Sequence, residues 1–164
     1  IMALCGSTLA TYVASVKLRG KLSVADIANA ALAGGVAIGS TCDRAIPGTA
    51  FAIGILAGFV STFGFAILQA RLTSLMKQVD TCGVFYLHGL PGMFGGFAAL
   101  AVVSDINFGA QLTGILVTVL IAAVAGILSG KVIALLGRRF EPYVDSEELE
   151  SDEAPEPVKL KLQA

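Results

Sequence analysis

The chain has 164 residues, 55% of them hydrophobic and 14% charged, with a mean hydropathy of +0.82; this excludes an ordinary water-soluble domain and marks a membrane protein. Its 19 glycines and complete lack of tryptophan fit helix backbones that approach one another closely in lipid. The formal net charge of −1 conceals a segregation, because eight of the 12 acids fall between Glu141 and Glu156, and no basic patch of the kind that binds nucleic acid is present.

Ile1 opens directly into an apolar run with no basic leader, so a signal peptide is not expected and the chain reads as a piece of something longer. Crossing about 30 Å of hydrocarbon takes about 20 helical residues. Five apolar segments approach or exceed that length, at about 1–16, 24–40, 47–68, 83–103 and 109–136. The second is rich in small residues and is expected to lie inside the bundle. Polar links separate the segments: "KLRGK" 17–21, "TCDRAIP" 41–47, "ARLTSLMKQVD" 70–80 and "SDINF" 104–108. The expected fold class is all-α, a polytopic transmembrane domain over 1–139 in the lipid bilayer, followed by a tail over 140–164.

Basic residues set the orientation. With the tail in the cytoplasm, the loops on that side hold Lys17, Arg19, Lys21, Arg71 and Lys77, with Arg138 and Arg139 at the last exit, whereas the opposite loops hold Arg44 alone. This is the asymmetry of the positive-inside rule. The tail, with clustered acids, two prolines between Ala154 and Val158 and few apolar residues, buries too little surface to offset its chain entropy and is expected to be disordered. It could otherwise dock a cytoplasmic partner.

The only histidine, His88, lies eight residues beyond Asp80. Asp80 stands at the mouth of the fourth segment, where its side chain suits a helix N-cap. At about 1.5 Å rise per residue the imidazole is about 12 Å into the membrane, a depth at which an ionisable group points to function; the alternative is a neutral ring hydrogen-bonded between packed helices. An uncharged ring both donates and accepts a hydrogen bond, which suits a path for a small polar molecule or a proton. In "HGLPGMFGG", Pro91 removes a backbone donor and is expected to bend the helix, while Gly89, Gly92, Gly95 and Gly96 make room or allow close packing. Gly35 and Gly39 stand at GxxxG spacing, first a sign of helix contact. Asn29 is expected to cap or to bond between helices, the alternative being contact with substrate in the inner vestibule. Cys5, Cys42 and Cys82 lack metal-binding spacing and are expected to be buried packing residues. No metal site, cofactor motif, nucleophile elbow or pair of catalytic carboxylates is present, so an enzyme is not expected.

The stretches "DIANAALAGGVAIGS" 26–40 and "DTCGVFYLHGLPGMFGG" 80–96, with "FEPYVDSEELE" 140–150, resemble the signatures of the Rhesus (Rh) branch of the ammonium transporter (Amt/Rh) family. The resemblance implies two inverted five-helix repeats, a homotrimer with one pore per protomer, and a plasma-membrane location. This chain would be the second repeat with its tail. The implied substrate is ammonia or ammonium. Of two lumen histidines in the family, the one in "LHG" falls on His88, and its partner belongs to the other repeat. Phe85 and Tyr86 stand where Rhesus-type proteins commonly have histidine and asparagine. About one turn below His88, they are expected to narrow the inner vestibule or to remove a polar contact. The alternative reading is a non-conducting Rh-like structural subunit that anchors a cytoplasmic scaffold.

Overall fold

A computed structural model describes residues 1–76, 80 and 83–137. Lys77, Cys82, Arg138, Arg139 and the whole of the tail 140–164 lie outside the described residues. Each of the five apolar segments is helical. α1 spans Met2–Arg19. The second segment is broken into α2 (Val24–Ala30), α3 (Ala33–Ile38) and a 3-10 turn (Gly39–Thr41). α4 (Pro47–Phe63) passes through a π turn (Gly64–Leu68) into α5 (Gln69–Met76). A second π turn (Phe85–Gly89) leads into α6 (Leu90–Val102), and α7 spans Phe108–Leu135.

Among the described residues, four stretches are long and apolar enough to cross a membrane: Val24–Thr41, Pro47–Leu75, Phe85–Val102 and Phe108–Leu135. α1 has 18 residues, but Lys17 and Arg19 in its last turn and its serines and threonines lower its apolar character. The link expected over 70–80 is corrected in part: the helix continues to Met76, because "QARLTSL" contains no breaker and its residues favour helix.

Local signals place the ends. Gly20 closes α1 in the left-handed region, with φ 75° and its N–H on the Val16 carbonyl, and Lys17 and Arg19 complement the negative end of the helix dipole. Ser23 caps α2 by accepting the Asp26 N–H at 3.4 Å, Pro47 occupies the first turn of α4, and the Asn107 side chain accepts the Ala110 N–H at 3.0 Å at the start of α7.

Residues 1–120 form one compact unit. Its centre is the pairing of α1 with α4, with α3 and α6 against α4. The buried face of α1 is Ala3, Gly6, Ser7, Ala10, Thr11, Ala14 and Ser15, a three-and-four spacing of small side chains. Gly34 and Gly54 both meet the Ala3 carbonyl so closely that a methyl group on either would overlap it. The close approach in the second segment is therefore made by Gly34 rather than the expected Gly35 and Gly39. A Cβ on Gly35 would meet only the flexible Leu4 side chain, and one on Gly39 would meet nothing within 4 Å. The cysteine expectation is corrected as well: Cys5 and Cys42 are free and exposed, because they lie off the small-residue face that does the packing. The described part of the second unit, which begins at Ile121, continues α7 and then reaches Gly137. No residue of α7 is buried.

Where helices break, a neighbouring side chain takes over the freed backbone groups. Between α2 and α3 the Ala31 carbonyl accepts the buried Ser7 hydroxyl. On the loops, Arg44 forks onto Asp105, with Nη2 2.9 Å from Oδ2 and 3.1 Å from Oδ1, and its Nε lies 3.9 Å from Asp43 Oδ2. The hydrogen bond from Arg44, then the backbone N–H and the charge of Arg44, hold the Asp105 carboxyl below its ordinary value of 3.8. A lowered folded-state pKa stabilises above the ordinary value, and that contribution disappears as pH falls through the folded value. Asp105→Asn is therefore expected to leave the thermal midpoint nearly unchanged at acid pH while lowering it slightly at neutral pH. Equal shifts at pH 7 and at a pH below the folded value would show that the pair contributes nothing through ionisation.

Candidate functional site

The segment "FYLHG", Phe85–Gly89, is wound as a π turn, a geometry that adds one residue to a helical turn and recurs at functional sites. Its hydrogen bonding follows from Pro91. The Leu90 N–H reaches back five residues to the Phe85 carbonyl. In the same register the Tyr86 carbonyl would receive the N–H of residue 91, which proline lacks. Ser61 on α4 fills the gap: its buried hydroxyl donates to the Tyr86 carbonyl at 2.8 Å. Pro91 itself sits in the first turn of α6, so the interruption expected at the proline is realised as a π turn followed by a new helix.

The site residues read from the sequence fall in two places. Asp80, Phe85, Tyr86 and His88 are brought together in one segment. The Asp80 carboxylate accepts the Phe85 N–H at 3.3 and 3.2 Å through its two oxygens, which satisfies a donor at the start of the turn. The Asp80 carbonyl accepts the Gly83 N–H at 3.1 Å and the Gln69 amide at 3.3 Å. His88 is exposed, not held between packed helices. Asn29 belongs to α2 and is half-buried; its carbonyl accepts the Leu32 N–H at 3.0 Å across the break before α3. α2 and α3 both pack beside the His88 turn.

Phe85 and Tyr86 part company. Phe85 is 47% exposed and lies on the same turn as His88. Tyr86 is 1% exposed, and its side chain belongs to the core of the described residues. Its ring is pressed on Gly64, where a Cβ would overlap it, and stands 5.7 Å from the Phe65 ring and 5.3 Å from that of Phe85. Successive residues of a helical turn point in different directions, so one bulky neighbour of His88 faces outward and the other is core.

Two features escaped the sequence reading. One is the set from α4 and its π turn, Ser61, Gly64 and Phe65, which shapes the His88 turn from a distance in sequence; a lone serine in an apolar run gives no sign of its partner. The other is Asp26, 1% exposed, which accepts Arg19 Nε at 2.8 Å, Arg19 Nη2 at 2.9 Å and the Ser15 hydroxyl at 2.7 Å. An acid inside an apolar segment requires such a partner, and that signal was available. Among the described residues no cluster of histidine, cysteine or acids could hold a metal ion.

The sequence profile of the Ammonium Transporter Family matches residues 1–156. The chain is 39% identical over 140 residues to ammonium transporter Rh type A of Bos taurus, covering 80% of this chain and 33% of that protein. It is 36% identical over 171 residues to ammonium transporter Rh type B of Rattus norvegicus, covering 87% of this chain and 36% of that protein. Among solved structures it is similar to Nitrosomonas europaea Rh50, of the Rhesus protein family of channels, at 50% identity and a TM-score of 0.82, over 94% of this chain and 41% of that one. The chain thus spans about a third of the length of these curated relatives. These relatives are transporters and a channel, not enzymes. On these matches the chain is a membrane protein of the Ammonium Transporter Family, in its Rhesus branch.

Proposed function

We propose that this chain forms part of a Rhesus-type channel that conducts uncharged ammonia through a largely apolar pore, with His88 in the lumen. The observation that carries the reading is the exposed imidazole on a π turn inside the apolar stretch Phe85–Val102. A bare ammonium ion is too costly to carry through hydrocarbon, so it leaves its proton before the apolar section. A neutral imidazole then serves the passing molecule as both donor and acceptor.

In this reading α1 is a fifth crossing. Its 18 residues span about 27 Å at 1.5 Å each, and its polar stripe is buried on α4, where lipid does not reach. With five crossings the chain matches one of the two inverted repeats that the Rhesus resemblance implies, and from the same resemblance the reading takes a cytoplasmic C-terminus, the plasma membrane and a homotrimer for the complete protein. The burial of Tyr86 weakens the case for a non-conducting subunit, since only Phe85 remains on the His88 face.

Methylammonium uptake by the full-length protein tests the role. His88→Ala is expected to lower uptake at least about tenfold, equivalent to about 1.4 kcal/mol in the barrier, with expression and assembly retained. Uptake kinetics unchanged by the substitution would remove His88 from the pathway.

A further inference from the structure

We infer that Ser61 is a positioning residue for His88, selecting the helical register of the turn that carries it; this rests on the pore reading of His88 above. The Tyr86 carbonyl has two possible backbone partners. In a π register it is the amide of residue 91, and Pro91 has no hydrogen to give. In an α register it is the N–H of Leu90, four residues on. Ser61, 0% exposed, occupies the Tyr86 carbonyl at 2.8 Å and so frees the Leu90 N–H for the Phe85 carbonyl, which is the bond observed.

Without the serine hydroxyl, the choice is between a buried carbonyl left without a donor, which is costly, and collapse of the turn to α geometry with Leu90 bonded to Tyr86. The second outcome removes one residue from the turn. At 3.6 residues per turn, one residue is about 100° of rotation. The segment before the turn therefore rotates relative to α6, and the direction of His88 changes although no atom of the ring has been altered. Gly64 and Phe65, which clasp Tyr86, oppose the rotation but supply no hydrogen-bond donor to the carbonyl.

Four variants of the full-length protein test this by methylammonium uptake as a function of pH: Ser61→Ala, Ser61→Thr, Pro91→Ala and the double variant Ser61→Ala/Pro91→Ala. Ser61→Ala is expected to lower maximal uptake about tenfold and to alter its pH profile, with protein level and assembly preserved. Ser61→Thr keeps the hydroxyl and is expected to keep most of the uptake. The double variant supplies the missing donor from the amide at position 91 and is expected to recover uptake relative to Ser61→Ala. Should Ser61→Ala fail to fold, the double variant still decides the matter: a folded, active protein supports the inference, and an inactive or unfolded one overturns it. The inference also fails if Ser61→Ala leaves uptake and pH profile at the parental level while His88→Ala abolishes uptake, or if Ser61→Ala lowers uptake and Pro91→Ala gives no relief. If His88→Ala is itself without effect, the pore reading falls and this inference with it.

Discussion

Replacing Arg19 with alanine is expected to destabilise the chain by about 3 kcal/mol, the low end of the range for removing one partner of a buried ion pair. The low end applies because the Arg19 side chain is 35% exposed while that of Asp26 is 2% exposed. Water therefore reaches the cation but not the acid. What the substitution leaves behind is a carboxylate with the Ser15 hydroxyl at 2.7 Å as its remaining side-chain donor. The same carboxylate anchors α2 against α1, since Ser15 also accepts the Ser23 N–H at 3.0 Å, so loosening it frays the start of the broken second segment. Arg19→Lys keeps the charge but cannot reproduce the two-pronged contact, and is expected to recover only part of the loss. Removing both charges, as in Arg19→Ala/Asp26→Ala, is expected to cost less than Arg19→Ala alone, because no buried charge is then stranded. Thermal unfolding in detergent measures the series; a double variant as damaged as the sum of the singles would sink the idea that the pair is coupled.

The second large effect is expected at Tyr86. It is the largest of the fully buried side chains among the described residues, and Tyr86→Ala is expected to cost about 3–5 kcal/mol, the range for removing a large aromatic from a packed core. Gly64 cannot fill the space, having no side chain, and Phe65 loses the tilted ring it packs against at 5.7 Å. Tyr86→Asn, which installs the residue that the Rhesus resemblance implies here, is expected to be nearly as harmful in this background, since the cavity remains and an amide is buried in it. Phe85→His, at a 47% exposed position, is expected to change stability by less than about 0.5 kcal/mol. Stability and methylammonium uptake measured together separate a packing role from a gating role. A Tyr86→Asn protein that is as stable as the parent and transports faster would show that the ring obstructs a path after all.

These contrasts show how legible the site was. Pattern and spacing marked His88, Pro91 and Asp80 as belonging together, because they lie close to one another along the same stretch of chain and helical rise is a local property. Phe85 and Tyr86 are adjacent in sequence and equally bulky, so nothing local separates them; the empty volume above Gly64 does. Ser61 is 25 residues from its acceptor, and its importance exists only because α4 lies beside a carbonyl that Pro91 has left without a donor. The Cys5 and Cys42 expectations failed for a related reason: hydrophobic character says that a residue tolerates burial, while the face it occupies decides whether burial happens.

By itself the sequence determined that this is an all-helical membrane chain, where its apolar segments run, and which family signatures it bears. These depend on composition, on helix-length runs without water-seeking groups and on short motifs, all of which are properties of neighbours along the chain. The tertiary structure decided which small residues allow backbones to touch, which acid is paired and that Tyr86 is core. It also shows how a serine on α4 meets the carbonyl that a proline leaves open. Those outcomes depend on the distance between segments far apart in the chain, where one methyl group or one missing N–H determines which packing is allowed.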